Sequence, residues 1–206
     1  LDRQTLEQID FSTAECGFAY RQSRFKAEDR DRFIITAVTY RLDPRGLPQI
    51  RYPELRRELG DELAEFTSGR PALAAVRNAV LKLRRRKSML IDPQDPNSRS
   101  VGSFFLNPLI SRETFAVLER KNRDIPHFPA PDGVKVPAAW LVEKAGFHKG
   151  LQRDGIGISK NHALALINCS GSTREILDLA DEIQKAVQQT FGIRLEREPV
   201  LVPEKR

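Results

Sequence analysis

The chain has 206 residues, 40% hydrophobic and 30% charged, with 34 Lys+Arg against 28 Asp+Glu for a net charge of +6. That length holds one large domain or two small ones around a real core, and the composition is that of an ordinary globular protein. There is no run of 18 apolar residues, which excludes a helical membrane span, and no secretory signal; the positive excess suits an anionic partner. Much of that excess is the local run at residues 82–87. Helix-turn-helix, zinc-finger and RNP signatures are absent, so no nucleic-acid partner is expected. Cys16 and Cys169 stand too far apart for a close-spaced metal pair, and two buried, reduced thiols in a cytoplasmic protein are expected. The chain starts at Leu1 and its one methionine is Met89, so it reads as a processed or excised part of something longer.

Residues 1–12 show no clear period and read as a linker or a strand. Residues 15–26 (ECGFAYRQSRFK) alternate aromatic and cationic side chains. Tyr20 and Arg21 there could hold a carboxylate or phosphate through the planar guanidinium fork, or form a solvated surface loop. Residues 33–42 read as a strand with Ile34, Val38, Tyr40 and Leu42 on one face. Residues 43–46 are a turn by their Pro and Gly chemistry. Tyr52 precedes Pro53, so its backbone is biased extended. A helix starts near Pro71, with Leu73, Val76, Val80 and Leu83 as its apolar stripe. Its basic last turns complement the dipole, and Lys87 follows them. Residues 89–98 are an exposed connection and a subdomain boundary.

Residues 99–108 (RSVGSFFLNP) combine a glycine hinge with a strand-like run. Gly102 frees the backbone before Ser103. A strand over 103–107 places Ser103, Phe105 and Asn107 on one face, and Phe104 and Leu106 on the other. Ser103 and Asn107 are then roughly 13 Å apart and would touch two parts of one long ligand. Pro108 ends the run. A helix over 113–120 takes Ser111 as N-cap. Residues 121–137 form a long loop with four prolines, holding His127 and Lys135. His127 has no partner at ligand spacing, so no metal site is expected.

Residues 137–146 (PAAWLVEKAG) are a helix with proline at its start and glycine at its stop. Its apolar face is Ala138, Leu141, Val142 and Ala145, with Trp140 against the core. Residues 155–168 read as two strands around a polar turn, and no G-x-G-x-x-G dinucleotide loop stands there. Ser172 and Glu175 make a capping box for a helix whose buried stripe is Ile176, Leu179, Ile183 and Val187, ended by Gly192. Residues 193–202 read as a final strand. The fold class is α+β: mostly antiparallel sheets with helices packed on them, in two subdomains.

Five of these segments share one resemblance. RSVGSFFLNP resembles the serine-bearing segment of the UDP-N-acetylmuramate dehydrogenases, also called UDP-N-acetylenolpyruvoylglucosamine reductases. Residues 15–26 resemble that family's Cys-x-Phe-x-Tyr-Arg-x-Ser-x-Phe-Lys motif. AAWLVEKAG is similar to the family's AAWLIEKAG stretch, and residues 155–168 to its G-x-S-x-x-H-A-x-x-x-x-N pattern. The tail LERE at 195–198 is similar to its L-E-x-E-V ending, with a departure at Pro199.

The resemblance implies an FAD-dependent, NADPH-driven reduction of UDP-N-acetylglucosamine enolpyruvate in bacterial peptidoglycan synthesis, in the cytoplasm. It implies that Ser103 donates the proton, and that Arg21 and a protonated Glu198 stabilise the charge growing on the substrate carboxylate, with Glu196 as the fallback for Glu198. It also implies that Tyr52, Lys87 and Asn107 contact the UDP-sugar, and that Arg21 is this chain's residue toward FAD. The family's glycine-rich FAD loop has no counterpart here. Residues 1–95 then correspond to the end of the flavin-binding domain and 96–206 to the substrate-binding domain, with a missing N-terminal flavin-binding half as partner. Two other readings compete: a non-catalytic sugar-nucleotide-binding module, and an anion- or RNA-binding α+β protein.

Overall fold

The computed structural model describes residues 1–19, 21–61, 65 and 69–202. Its contacts divide the chain into two units, Leu1–Gly46 and Leu47–Arg206.

The first unit is built from side chains rather than from a sheet. Phe11, Phe25 and Phe33 meet edge to face with ring centroids 5.1–6.0 Å apart. Buried Asp2 accepts the Gln4 N–H at 2.8 Å and pairs with Arg32 at 3.1 Å. Those partners satisfy a carboxylate that burial would otherwise penalise. The strand expected over residues 33–42 is not one. Phe33 bridges Asp2, but the residues after it join no ladder among the described residues, and Ile34, Val38, Tyr40 and Leu42 are exposed. Alternation supplies a tendency, but a ladder needs a neighbouring strand to hydrogen-bond. The turn at 43–46 forms as expected, closed by Gly46 N–H to Asp43 O at 3.1 Å.

The second unit carries the regular structure and bears out the α+β class. Helix α1 (Pro53–Leu59) packs on α2 (Arg70–Arg86), where Glu58 receives Lys82 at 2.5 Å and Arg86 at 2.8 Å. The buried face of α2 centres on Ala72 and Ala79, and Leu73 is exposed, against the expected stripe.

The remaining elements run β1 (Ser100–Ser103), β2 (Leu109–Ile110), α3 (Arg112–Lys121), β3 (Phe128–Ala130), β4 (Gly133–Lys135), α4 (Ala138–Lys144), β5 (Gln152–Arg153), β6 (Ile156–Ile158), β7 (Ala165–Asn168) and α5 (Thr173–Phe191). One antiparallel sheet has the order β1-β7-β6-β5 and the other β2-β4-β3. Helix α5 packs against β6, β7 and α4. The core joins Phe104, Phe105, Leu141, Ile158, Leu179 and Ile183.

The expected caps are present. Ser111 accepts from Thr114 N–H, and Ser172 and Glu175 form the reciprocal capping box, with Gly192 in the left-handed region after α5. Three expectations fail. The long loop at 121–137 contains the β3–β4 hairpin, turned at Pro131-Asp132, a pairing its prolines hid. The strand expected over 103–107 begins earlier, at Ser100, and its strict alternation fails because Phe104 and Phe105 are both buried. Cys169 is exposed, while Cys16 is buried, and both are free thiols.

Candidate functional site

The glycine before Ser103 does local work. Ser100 faces Ile167 and Ser103 faces Ala165, so β1 fits an extra residue against β7. That is a β-bulge, which kinks a strand and re-aims a side chain. Gly102 takes φ +87°, a region open to glycine and costly for other residues. Ser103 follows directly. It is half-buried, and its hydroxyl has no hydrogen-bond partner among the described residues.

Beyond the bulge the chain is gripped from both sides. Phe104 N–H donates to Leu164 O at 2.8 Å; Leu106 N–H donates to Glu196 O at 2.9 Å, and Glu198 N–H to Phe104 O at 2.9 Å. The C-terminal tail thus runs beside residues 104–106 and is joined to them by one isolated antiparallel bridge between Phe105 and Arg197. The strand expected over 193–202 does not form, and Pro199 has no N–H to continue a ladder past that bridge. Arg197 fixes the tail to α5 through Asp181 at 2.7 Å and Gln184 Oε1 at 3.0 Å. Ile193 and Leu195 point inward, and Glu196 and Glu198 outward. The fold therefore brings Ser103 and Glu198 to one pair of adjoining segments.

Two grooves flank that pair. One, of about 620 Å³, runs between Ser100, Val101 and Phe104 on one side and Pro199, Val200 and Leu201 on the other. The second, of about 460 Å³, is lined by Asn107, Ser111, Arg194 and Glu196. Glu196 therefore shares a groove with Asn107, whereas the neighbours of Ser103 and Glu198 line the first.

Asn107 has a structural partner as well. Its Oδ1 accepts the Ala138 N–H at 2.8 Å and satisfies a free donor at the start of α4. Asn107→Ala is expected to lower the unfolding free energy by about 0.5–2 kcal/mol, and Asn107→Asp to retain most of it, measured by chemical denaturation. Equal loss in both variants would contradict the acceptor role.

Tyr52 and Lys87 come to the same end of the α1–α2 pair. Tyr52 is the N-cap residue of α1 and 76% exposed, so it is not a packing residue. Lys87 Nζ reaches Glu54 Oε2 at 2.5 Å, two residues along. That hydrogen bond holds the Glu54 carboxyl below the usual glutamate range, so Glu54 stays a carboxylate at neutral pH. Glu54 therefore competes with any anion that Lys87 binds. Exposed pairs of this kind contribute up to about 1 kcal/mol. Glu54→Gln is accordingly expected to raise UDP affinity by about 2–5-fold in calorimetric titration; unchanged or weaker binding would argue that Lys87 does not meet the ligand.

Arg21 lies in the first unit. Ala19 and Gln22 exchange two backbone hydrogen bonds of 3.1 Å, and Arg21 takes φ +57° in the tight turn between them. A non-glycine residue in that region is strained, and such residues gather at ligand sites. Tyr20 lies outside the described residues. Toward FAD the sequence offers Arg21 alone, and one guanidinium does not make a cradle for a dinucleotide diphosphate. The described residues thus do not by themselves fit that cofactor.

Sequence reasoning passed over His162 and Lys149. Burial first, then the charges of Lys87 and Lys149, hold the His162 ring below the usual histidine range. A histidine inside the polar turn at 159–162 was the available signal.

These elements define an α+β domain with antiparallel sheets, and no group of three or more metal-ligating side chains stands among the described residues. No helix among them is long and apolar enough to cross a membrane. Residues 93–202 match the family model described as UDP-N-acetylenolpyruvoylglucosamine reductase, C-terminal domain. Proteins named UDP-N-acetylenolpyruvoylglucosamine reductase are similar along nearly the whole chain. That of Thermobifida fusca is 45% identical over 201 residues, covering 93% of this chain and 55% of the relative. Those of Cupriavidus pinatubonensis and Mycobacterium tuberculosis are 42% and 43% identical, each covering 98% of this chain and 57% of the relative. The chain belongs to the UDP-N-acetylenolpyruvoylglucosamine reductase family, and it spans about half the length of these curated relatives.

Proposed function

We propose that this chain is the substrate-side part of an FAD-dependent, NADPH-driven reductase that converts UDP-N-acetylglucosamine enolpyruvate to UDP-N-acetylmuramate in cytoplasmic peptidoglycan synthesis. Residues 96–206 hold the UDP-sugar and supply the proton, residues 1–95 contribute Arg21, and a separate flavin-binding part holds FAD. The observation that carries this reading is the bulged strand that presents Ser103 beside the tail bearing Glu198, joined by Glu198 N–H to Phe104 O at 2.9 Å.

Ser103 gives its proton to the substrate carbon as general acid. Its hydroxyl has no protein partner to compete for that proton among the described residues. Arg21 and Glu198 stabilise the charge that develops on the substrate carboxylate. Glu198 is exposed in this chain, so the water-excluding cover that favours a neutral carboxyl falls to the bound substrate and the flavin-binding part. Lys87, Tyr52 and Asn107 orient the UDP-sugar.

The test is reconstitution. The chain is combined with the flavin-binding part of a relative, FAD and NADPH, and flavin reoxidation is followed after adding the enolpyruvyl substrate. Substrate-dependent reoxidation with UDP-N-acetylmuramate as product supports the proposal. Reoxidation by oxygen alone, with the substrate unchanged, counts against it.

A further inference from the structure

The turn that carries Arg21 closes on Arg24. Arg24 N–H donates to Cys16 O at 2.9 Å, and the Ala19–Gln22 pair makes the inner rung, so residues 17–23 form a loop with Arg21 near its tip. The Arg24 side chain crosses the base of that loop. Its Nη1 donates to Glu15 O at 3.1 Å, its Nε donates to the Asp29 carboxylate, and its Cζ stands 4.8 Å from the centroid of the Phe11 ring. Arg24 O in turn accepts the Ala27 and Asp29 N–H groups at 3.1 and 3.0 Å. One residue therefore ties the loop to residues 15–16 before it and to 27–29 after it.

Each of those partners is itself fixed. Glu15 closes its own turn, its carboxylate accepting Ser12 N–H at 2.8 Å and the Ser12 hydroxyl at 2.6 Å. Phe11 belongs to the aromatic trio with Phe25 and Phe33. Asp29 is buried and also faces Arg32 at 3.6 Å, which pairs with buried Asp2 at 3.1 Å. A row of alternating charges, Arg24, Asp29, Arg32 and Asp2, thus runs from the foot of the loop into the interior of the first unit. Arg21 by contrast is exposed and holds φ +57°, a conformation that persists only where the surrounding structure imposes it. Arg24 is the side chain that connects the two.

We propose that Arg24 is a positioning residue for Arg21: its hydrogen bond to Glu15 O and its ion pair with Asp29 set the loop that presents the Arg21 guanidinium to the substrate carboxylate. This rests on the reading that Arg21 meets that carboxylate, and it adds a residue that acts through Arg21 rather than on the substrate. The geometry calls for an arginine. A guanidinium spreads its donors over a rigid fork, so Nη1 and Nε engage Glu15 O and Asp29 together. A lysine ammonium is a compact point charge that keeps the attraction to Asp29 without spanning both acceptors. A shift of about 1 Å at a group that stabilises the transition state costs up to about 10²-fold in rate, so loosening the foot of the loop slows catalysis while Arg21 itself is intact.

The test has two arms. In the intact 206-residue chain, hydrogen exchange of the Ala19 and Gln22 amides is followed by NMR in Arg24→Ala, Arg24→Lys and Asp29→Asn, with Asp2→Asn breaking the far end of the charge row as the control for lost stability. Arg24→Ala is expected to speed both amides about tenfold, Arg24→Lys and Asp29→Asn about two- to fivefold, and Asp2→Asn less than about twofold. In the reductase reconstituted with a flavin-binding part, FAD and NADPH, Arg24→Ala is expected to lower kcat for the enolpyruvyl substrate about 10–100-fold and to change its KM by less than about threefold. Arg24→Lys should recover part of that kcat, and Asp2→Asn should stay within about twofold of the parent. If Arg24→Ala unfolds the first unit by circular dichroism, the milder Arg24→Lys and Asp29→Asn carry the same comparison against Asp2→Asn. Exchange and kcat that move as far in Asp2→Asn as in the Arg24 variants would reduce Arg24 to general stability and overturn the proposal, and so would faster exchange with normal kcat. Normal kcat in Arg21→Ala would instead sink the reading of Arg21, and the positioning role with it.

Discussion

Ser103→Ala should leave the reduction of FAD by NADPH at its normal rate and slow the reduction of the enolpyruvyl substrate by about 10²–10⁴-fold, the range of a lost general acid. The measurement is stopped-flow absorbance of the flavin, one half-reaction at a time, in a preparation that carries the cofactor. The asymmetry follows from position. Ser103 stands on the bulge at the end of β1, its hydroxyl without a partner among the described residues, and the proposed function assigns it to the part that holds the sugar nucleotide. Gly102 sets that aim, because its φ of +87° is available to few other residues. Equal loss of both half-reactions would mean that the substitution disturbs the flavin rather than the proton transfer.

Phe105→Ala should be the most damaging substitution near the site without touching any ligand. Phe105 is 2% exposed, its ring lies 5.4 Å from that of Phe104, and its backbone bridges the tail at Arg197. Replacing a buried phenylalanine costs about 3–5 kcal/mol, a large part of the 5–15 kcal/mol that typically holds a domain together. The midpoint of thermal unfolding should fall by roughly 6–20 °C. Glu198 should lose its position as well, since its segment runs beside residues 104–106. Exposed Val101, three residues before the aromatic pair, gives the control: Val101→Ala should change stability by less than about 0.5 kcal/mol. A loss below about 1 kcal/mol for Phe105→Ala would show that the strand is not anchored through this ring.

The helices were legible because their signals are local. Ser111, Ser172 with Glu175, and Gly192 each terminate a helix within a turn of themselves. Strands were harder, because a ladder depends on a neighbour that sequence order does not reveal. Residues 33–42 alternate well and pair with nothing among the described residues past Ile34, whereas Phe128–Ala130 holds a proline and still forms an edge strand. Residues 103–107 were half right. The glycine was the correct signal, but a bulge shifts register and puts both phenylalanines inside.

The site divides in the same way. Ser103, Arg21, Glu198, Tyr52, Lys87 and Asn107 were singled out through resemblance to a family, since a serine in a short strand has no signature of its own. The second role of Asn107, holding the Ala138 N–H, is a contact across 31 residues that no spacing rule predicts. His162 stayed hidden because its setting depends on a contact between distant segments, the hydrogen bond from Asn161 to Ser88 across 73 residues.

The central claim is that this chain recognises a sugar nucleotide. Isothermal titration with UDP-N-acetylglucosamine enolpyruvate, with an RNA oligonucleotide as control at two salt concentrations, tests it most directly. The account predicts saturable one-site binding of the sugar nucleotide, weakened by Lys87→Ala. No saturable binding of the sugar nucleotide by a chain with a folded circular dichroism spectrum, together with salt-steep binding of the RNA, would contradict it.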